Sequence, residues 1–224
     1  MSQIWYAAFS EDFVGQAQKI FKKLDRDVIV TVWDPELVPE MLRRGVSVIL
    51  GRGATALRIR KVVDLPVVEI PIPFEDMADT LIEASRYGRN IGVIGYNNLL
   101  SGLECLNPIL NVSIRQIFAV DENDTYHQIQ KLKNEGIDVI VGGLLQTHYA
   151  RELGLPAVRI ELTDKSLSYA CQEAEKLIAT VKAATRKAEE LKTILNTTNE
   201  KYVAVDIKGN ITWMNRVAKP YLPN

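Results

Sequence analysis

Cysteine and histidine are scarce in this chain of 224 residues, with two of each. Cys105 and Cys171 stand far apart without metal-type spacing, so they offer neither a disulfide framework nor a zinc motif; both read as reduced, packed residues. Charge of one sign is missing too: 27 Lys and Arg face 28 Asp and Glu, for a net charge of -1. Without a basic surplus to neutralise phosphates, direct contact with nucleic acid by this chain is not expected. No run approaches the roughly 18 apolar residues of a membrane span. Met1-Ser2-Gln3-Ile4-Trp5-Tyr6 has neither a charged leader nor an apolar signal core, so a cytoplasmic protein without membrane contact is expected. A Gly-x-x-x-x-Gly-Lys-[Ser/Thr] phosphate loop is also lacking, which excludes ATP hydrolysis of that type. Nothing calls for a cofactor or a metal.

What the chain has is a repeat. Arg44-Gly45-Val46-Ser47-Val48-Ile49-Leu50-Gly51-Arg52-Gly53 reads against Glu135-Gly136-Ile137-Asp138-Val139-Ile140-Val141-Gly142-Gly143-Leu144 at an offset of 91. Leu65-Pro66-Val67-Val68-Glu69-Ile70 then matches Leu155-Pro156-Ala157-Val158-Arg159-Ile160 at an offset of 90. Two copies of one α/β unit predict two similar lobes with a cleft between them. Apolar runs at 4–9, 28–32, 46–50, 65–70, 91–95, 113–120, 139–141 and 157–160 alternate with helical patterns. That order predicts parallel sheets with right-handed crossovers, hence two Rossmann-like lobes in an α/β fold of three layers. In the first lobe Phe13, Ala17, Ile20, Phe21 and Leu24 recur at helical spacing, and after Asp34-Pro35 the residues Leu37, Val38, Met41 and Leu42 are expected to face inward. Pro71 and Pro73 mark a hinge candidate, after which a helix over 74–87 carries the chain to the second lobe. Further helices are expected near 97–107, 123–135 and 144–153.

From Asp164 the grammar changes. Residues 165–198 hold no Gly or Pro and predict one helix about 50 Å long. Leu177, Val181, Ala184, Ala188, Leu191 and Leu195 follow a 4-3-4-3-4 spacing, the seam of a parallel two-stranded coiled coil, so a homodimer through this helix is expected. Leu167 and Ala170 belong to the lobe. Tyr202 to Asn215 has the pattern of a hairpin around Lys208-Gly209-Asn210. A lone hairpin is marginally stable, so it reads as the opening of a further domain.

Ligands of open parallel sheets collect beyond the C-terminal strand ends, where glycine turns leave backbone N–H groups free. Gly51-Arg52-Gly53-Ala54-Thr55 places a guanidinium, a hydroxyl and several amides at a helix start, which suits a carboxylate or phosphate. The alternative is a solvated Arg52 beside glycines that only form the turn. The second copy keeps the glycines, Gly142 and Gly143, but has Gly143 where Arg52 stands. Other cleft candidates at strand ends are Ser10, Tyr96, Asn97, Asn98, Gln146 and Thr147; for Ser10, Asn97 and Thr147 helix capping competes with ligand binding. His148 lies near a helix start with no nucleophile close by, so general-base work is a weak reading.

The block Val48 to Ala56, followed by Leu65 to Ile70, Ile91-Gly92-Val93-Ile94-Gly95-Tyr96 and Val139-Ile140-Val141-Gly142-Gly143, resembles the N-terminal sensor domain of the propionate-catabolism activators, among the sigma-54-dependent transcription regulators. The resemblance covers about residues 1–175. Val205-Asp206, Gly209-Asn210-Ile211 and Asn215 resemble the first two strands of a PAS domain. The resemblance implies one lobe from 1–73 with 161–175, a second from 74–160, a signalling helix over 176–199 and a PAS start over 200–224. It also implies a small effector, 2-methylcitrate or a related carboxylate, with DNA and sigma-54 polymerase contacted by later domains. A second resemblance joins Gln146-Thr147-His148-Tyr149 to the Cys-Thr-His-Tyr loop of aspartate/glutamate racemases, which use two opposed thiols. Here Gln146 stands where the second thiol would be, so the scaffold is kept and the chemistry is lost. A purely structural dimerisation module is the remaining alternative.

Overall fold

A computed structural model describes residues 3–96 and 101–221. Its first unit, through Ala174, holds two four-stranded parallel sheets built to one plan. The first sheet comprises β1 (Ile4–Ala8), β2 (Ile29–Val32), β3 (Val48–Gly51) and β4 (Val67–Glu69), in the order β2-β1-β3-β4. The second comprises β5 (Asn90–Gly95), β6 (Ser113–Phe118), β7 (Val139–Gly142) and β8 (Ala157–Arg159), in the order β6-β5-β7-β8. All of these pairings are parallel. β3 and β7 coincide at the repeat offset, and both are interior strands, which is why their apolar runs are continuous rather than alternating.

In the first lobe the strands are linked through α1 (Glu11–Lys23), α2 (Val38–Arg43) and α3 (Gly53–Arg60). Trp5, Ala7 and Ile49 pack with Met41 and Ile59 on one face of the sheet. Tyr6, from the alternate position, meets Phe21 of α1 edge-on at 6.1 Å on the other. In the second lobe the same alternation divides the core. Ile91, Val93, Val139 and Val141 pack on α4 (Phe74–Ala84) through Met77 and Leu81. Ile94 and Ile140 pack on Ile129 and Leu132 of α6 (Glu122–Asn134) and on Ala150 of α7 (Leu144–Glu152). Each such side chain removed from water contributes on the order of 1.5–3 kcal/mol, so covering both faces is the main stabilising term.

The chain crosses between lobes twice. After β4 it runs through Pro71 and Pro73 into α4, which packs on the second sheet. After β8 it returns to α8 (Asp164–Thr197), whose start is tied to α1: Gln16 Nε2 donates to Leu162 O at 2.9 Å, and Lys23 pairs with Asp164. Ser166, Leu167, Ala170, Cys171 and Ala174 are the buried residues of α8.

The second unit runs from Glu175. In it β9 (Val203–Val205) and β10 (Ile211–Met214) form the expected antiparallel hairpin. Asp206 organises the turn by accepting from Lys208 N and Asn210 N, and Gly209 takes φ 85° there. Buried Asn215 locks the hairpin base to the end of α8, donating to Leu195 O and Glu200 O at 2.9 and 2.8 Å.

Three local expectations need correction. A turn of 3-10 helix at Pro35–Leu37 precedes the short α2, shifts its phase and leaves Leu42 51% exposed. Within the stretch read as one helix near 97–107, helical structure among the described residues begins with a 3-10 turn at Leu103–Leu106 and continues in α5 (Asn107–Leu110). Cys105 lies in that turn and is exposed, whereas Cys171 is buried as expected.

Candidate functional site

Each sheet reverses its winding between the first strand and the third, and the crevice beyond the C-terminal ends of those two strands is where such sheets receive ligands. Both crevices open into one cavity of about 120 Å³ between the lobes. Ala7 and Phe9 come to it from the end of β1, Arg52 to Thr55 from the end of β3 and the start of α3, Gly95 and Tyr96 from β5, and Gly143 to Gln146 from the start of α7. The repeat therefore delivers equivalent segments to the same space from opposite sides.

The two glycine turns let these helices start close to their strands. A Cβ on Gly51 would stand 3.0 Å from Ala56 Cα, and one on Gly142 would stand 2.5 Å from Gln146 Cβ and 2.9 Å from Ile94 O. Gly53 adopts φ 53°, a left-handed value suited to glycine. The first N–H groups of a helix have no intrahelical acceptor. Thr55 N turns back to Arg52 O at 3.1 Å and Thr147 N to Gly143 O at 3.0 Å, while Gly53 N, Ala54 N, Leu144 N and Leu145 N have no protein acceptor among the described residues. Two positive helix ends thus face the cavity.

Arg52 is half-buried at the lip, where Nη1 donates to Glu161 O at 3.0 Å. Burial lowers its pKa from the usual range; Tyr6, Glu161 and Asp76 oppose that shift and Arg159 adds to it. Glu161 is held by two hydrogen bonds from Arg159, at 2.8 and 2.9 Å, and Asp76 accepts from Thr163 Oγ1 at 2.6 Å. The Arg159 guanidinium also lies 5.6 Å from the Phe13 ring centre, joining β8 to α1 across the lobes. At the other rim Arg58 of α3 pairs with Glu122 of α6, and Ala54 and Leu57 pack against the second lobe's core. The lobes therefore touch on both sides of the cavity.

Burial pushes the Tyr6 hydroxyl up to about 12, with the Arg52 charge pulling the other way. An unfolded tyrosine ionises near pH 10, so between about pH 10 and 12 the unfolded chain releases a proton that the folded one keeps, and stability falls as pH rises. The loss amounts to about 2–3 kcal/mol. Tyr6→Phe should flatten that alkaline decline, as read from urea midpoints on both sides of pH 10; an unchanged slope would remove the assignment to Tyr6.

Of the residues singled out in the sequence, Arg52, Gly53, Ala54, Thr55, Tyr96, Gly143 and Gln146 line the cavity together. Gln146 is only 3% exposed. Gly142 ends β7 just behind the lining. Thr147 does not line it, because its hydroxyl donates back to Gly143 O and Leu144 O, both at 3.0 Å. Ser10 occupies the N-cap position of α1 with no side-chain capping bond, and its Oγ is buried without a partner outside the lining. Asn97 and Asn98 lie outside the described residues. The His148 side chain is largely exposed and stands 3.5 Å from Glu152, away from the cavity. Neither cysteine lines it.

Tyr6, Phe9, Phe13, Ile72, Leu144, Leu145 and Glu122 also line the cavity and were not singled out in the sequence. Their apolar or paired character makes them resemble core and surface residues. The signal that could have found Leu144 and Leu145 is the repeat itself, which sets them against Gly53 and Ala54.

The fold and cavity define a bilobal α/β architecture with a cavity between the lobes. A family model of the propionate catabolism activator matches residues 34–184, and the chain belongs to that family, as the N-terminal sensor domain of a transcriptional regulator. A crystal structure of an NtrC family transcriptional regulator from Clostridium acetobutylicum is similar over 79% of this chain and 96% of its own, with 25% identity and a TM-score of 0.66. Looser similarity, at a TM-score of 0.34, is found to a carbohydrate transporter from Acidothermus cellulolyticus in complex with myo-inositol, with 14% identity over 70% of this chain and 72% of that one. A solute binding protein from Mycobacterium smegmatis with bound glycerol gives the same score, with 12% identity over 67% and 70%. Among the described residues, no helix is long and apolar enough to cross a membrane.

Proposed function

We propose that this chain senses a small organic anion in the interlobe cavity and passes the result along α8 to downstream parts of a cytoplasmic regulator. The observation that carries this reading is the convergence of Arg52 and two repeat-related helix starts on one cavity. Such groups favour negative charge without needing to move once it arrives. A ligand that touches both lobes stabilises their closed arrangement only by the difference between its affinities for the open and closed forms, typically 1–3 kcal/mol. Both crossovers, at 70–74 and 160–164, turn lobe movement into a displacement at the start of α8. The exposed seam of α8 supports a homodimer as the output, and the hairpin beyond it supports the start of a PAS domain. Regulation is by binding, not turnover.

The test is calorimetric titration of small carboxylates, including citrate and 2-methylcitrate, into the wild type and Arg52→Ala. Removing a charged donor from a partly buried anion site should weaken binding roughly ten- to a hundredfold. Equal affinity in the two proteins would take Arg52 out of the site.

A further inference from the structure

The charge and size of the cavity define the effector more narrowly than the sensing role on which this inference rests. Arg52 is the one cationic side chain in the described lining, and the one acidic side chain there, Glu122, is paired with Arg58. Around Arg52, the charges of Arg159, Asp76 and Glu161 make the local set neutral. The two helix starts then add roughly half a positive charge each, so the site is matched to about one negative charge. A tricarboxylate would bring two more carboxylates into the space without a cation for either, and buried unpaired charge is strongly unfavourable.

Size gives the same result. A dry cavity of about 150 Å³ holds benzene, and this one is about 120 Å³. Much of the wall is apolar, with Phe9, Phe13, Ile94 and Leu145 among the lining residues. One polar group remains to be matched. Gln146 is 3% exposed and lines this space, and its side-chain amide has no hydrogen-bond partner among the described residues. A ligand that displaces water from this amide must replace its hydrogen bonds, which calls for a second oxygen on the ligand.

We propose that the cavity takes a small monocarboxylate with a branched or aromatic apolar body and a 2-oxo or 2-hydroxy oxygen. The carboxylate meets Arg52 and the N–H groups of Gly53 and Ala54, the 2-oxygen meets Gln146, and the apolar body fills the remainder.

Four probes titrated calorimetrically into the full chain test this: 2-oxoisovalerate, 3-methylbutanoate, citrate and 2-methylcitrate. 2-Oxoisovalerate should bind saturably, and both tricarboxylates at least about tenfold more weakly. Gln146→Leu should abolish the preference for 2-oxoisovalerate over 3-methylbutanoate, with a thermal melt confirming that the variant is folded. Should that variant not fold, the ranking of probes on the wild type decides alone. Tricarboxylates binding as tightly as 2-oxoisovalerate would overturn this assignment and leave the sensing role standing. A preference that survives Gln146→Leu would overturn Gln146 as the contact for the 2-oxygen. No heat from any of the four, with a folded protein, would overturn both the assignment and the sensing role.

Discussion

Gly142→Ala should destabilise the protein by about 1–3 kcal/mol, because the added methyl has nowhere to go. Its carbon would stand 2.9 Å from the Ile94 carbonyl oxygen, which is fixed in the neighbouring strand, and 2.5 Å from Gln146 Cβ, which is fixed by the first turn of α7. Relief requires the helix start to back away from the sheet, and that same start forms one wall of the cavity. Stability and ligand affinity should therefore fall together. Gly143→Ala is the matched control. Its methyl would meet only Gln146 Oε1, at 3.0 Å, and its φ of -77° is ordinary for any residue. Stability should stay within about 0.5 kcal/mol of the parent, while Gln146 must turn and binding should weaken. Urea midpoints for the two variants, read at equal slope, give the comparison. Equal midpoints would mean that α7 can shift freely and that the glycine is there for some reason other than close approach.

The same close approach explains why so much of the fold was legible. Val48-Ile49-Leu50-Gly51 and Val139-Ile140-Val141-Gly142 are apolar at every position because β3 and β7 are interior strands covered on both faces, and each ends in glycine because a helix must start against it. Burial and backbone clearance act on single residues in sequence, so they leave a pattern in the letters. Contacts made across the cleft leave none. Phe13 reads as one more apolar position of α1, yet it serves as a platform for Arg159 from the other lobe. Glu122 reads as a first-turn acid and is in fact paired with Arg58 across the rim. Thr147 fails in the opposite direction. As a polar residue after a glycine turn it resembles a cleft donor, but at the fourth position of the helix its hydroxyl is taken up by backbone carbonyls at the start of that helix. Leu42 shows the remaining weakness: helical spacing finds the inward face only while the phase is kept, and one turn of 3-10 helix is enough to lose it.

Val181→Asp combined with Leu191→Asp should convert a homodimer into a monomer. Between Ala174 and the hairpin, α8 has an apolar stripe with very little to cover it: Val181 and Leu191 are 51% and 53% exposed, and Ala184 and Ala188 are exposed between them. The other faces are satisfied by pairs within the helix, Arg186 with Glu190 and Lys192 with Glu189. Charge pairs along one helix stabilise it only weakly beside the packing of an apolar face, and two such stripes packed together remove apolar surface at roughly 1.5–3 kcal/mol per large side chain buried. The alanines let the backbones approach and so keep the seam narrow. Aspartates at these two positions within the stripe would face their own copies across it, replacing burial with repulsion between unpaired like charges. Light scattering should therefore report about twice the chain mass of 25.2 kDa for the parent and that mass itself for the double variant. Both positions are exposed, so the melting of the first unit should not change, and a loss of mass without a loss of fold would isolate the seam. A parent that is already monomeric would leave α8 without a partner and remove the dimer from the signalling scheme; a variant that stays dimeric would put the interface elsewhere on the chain.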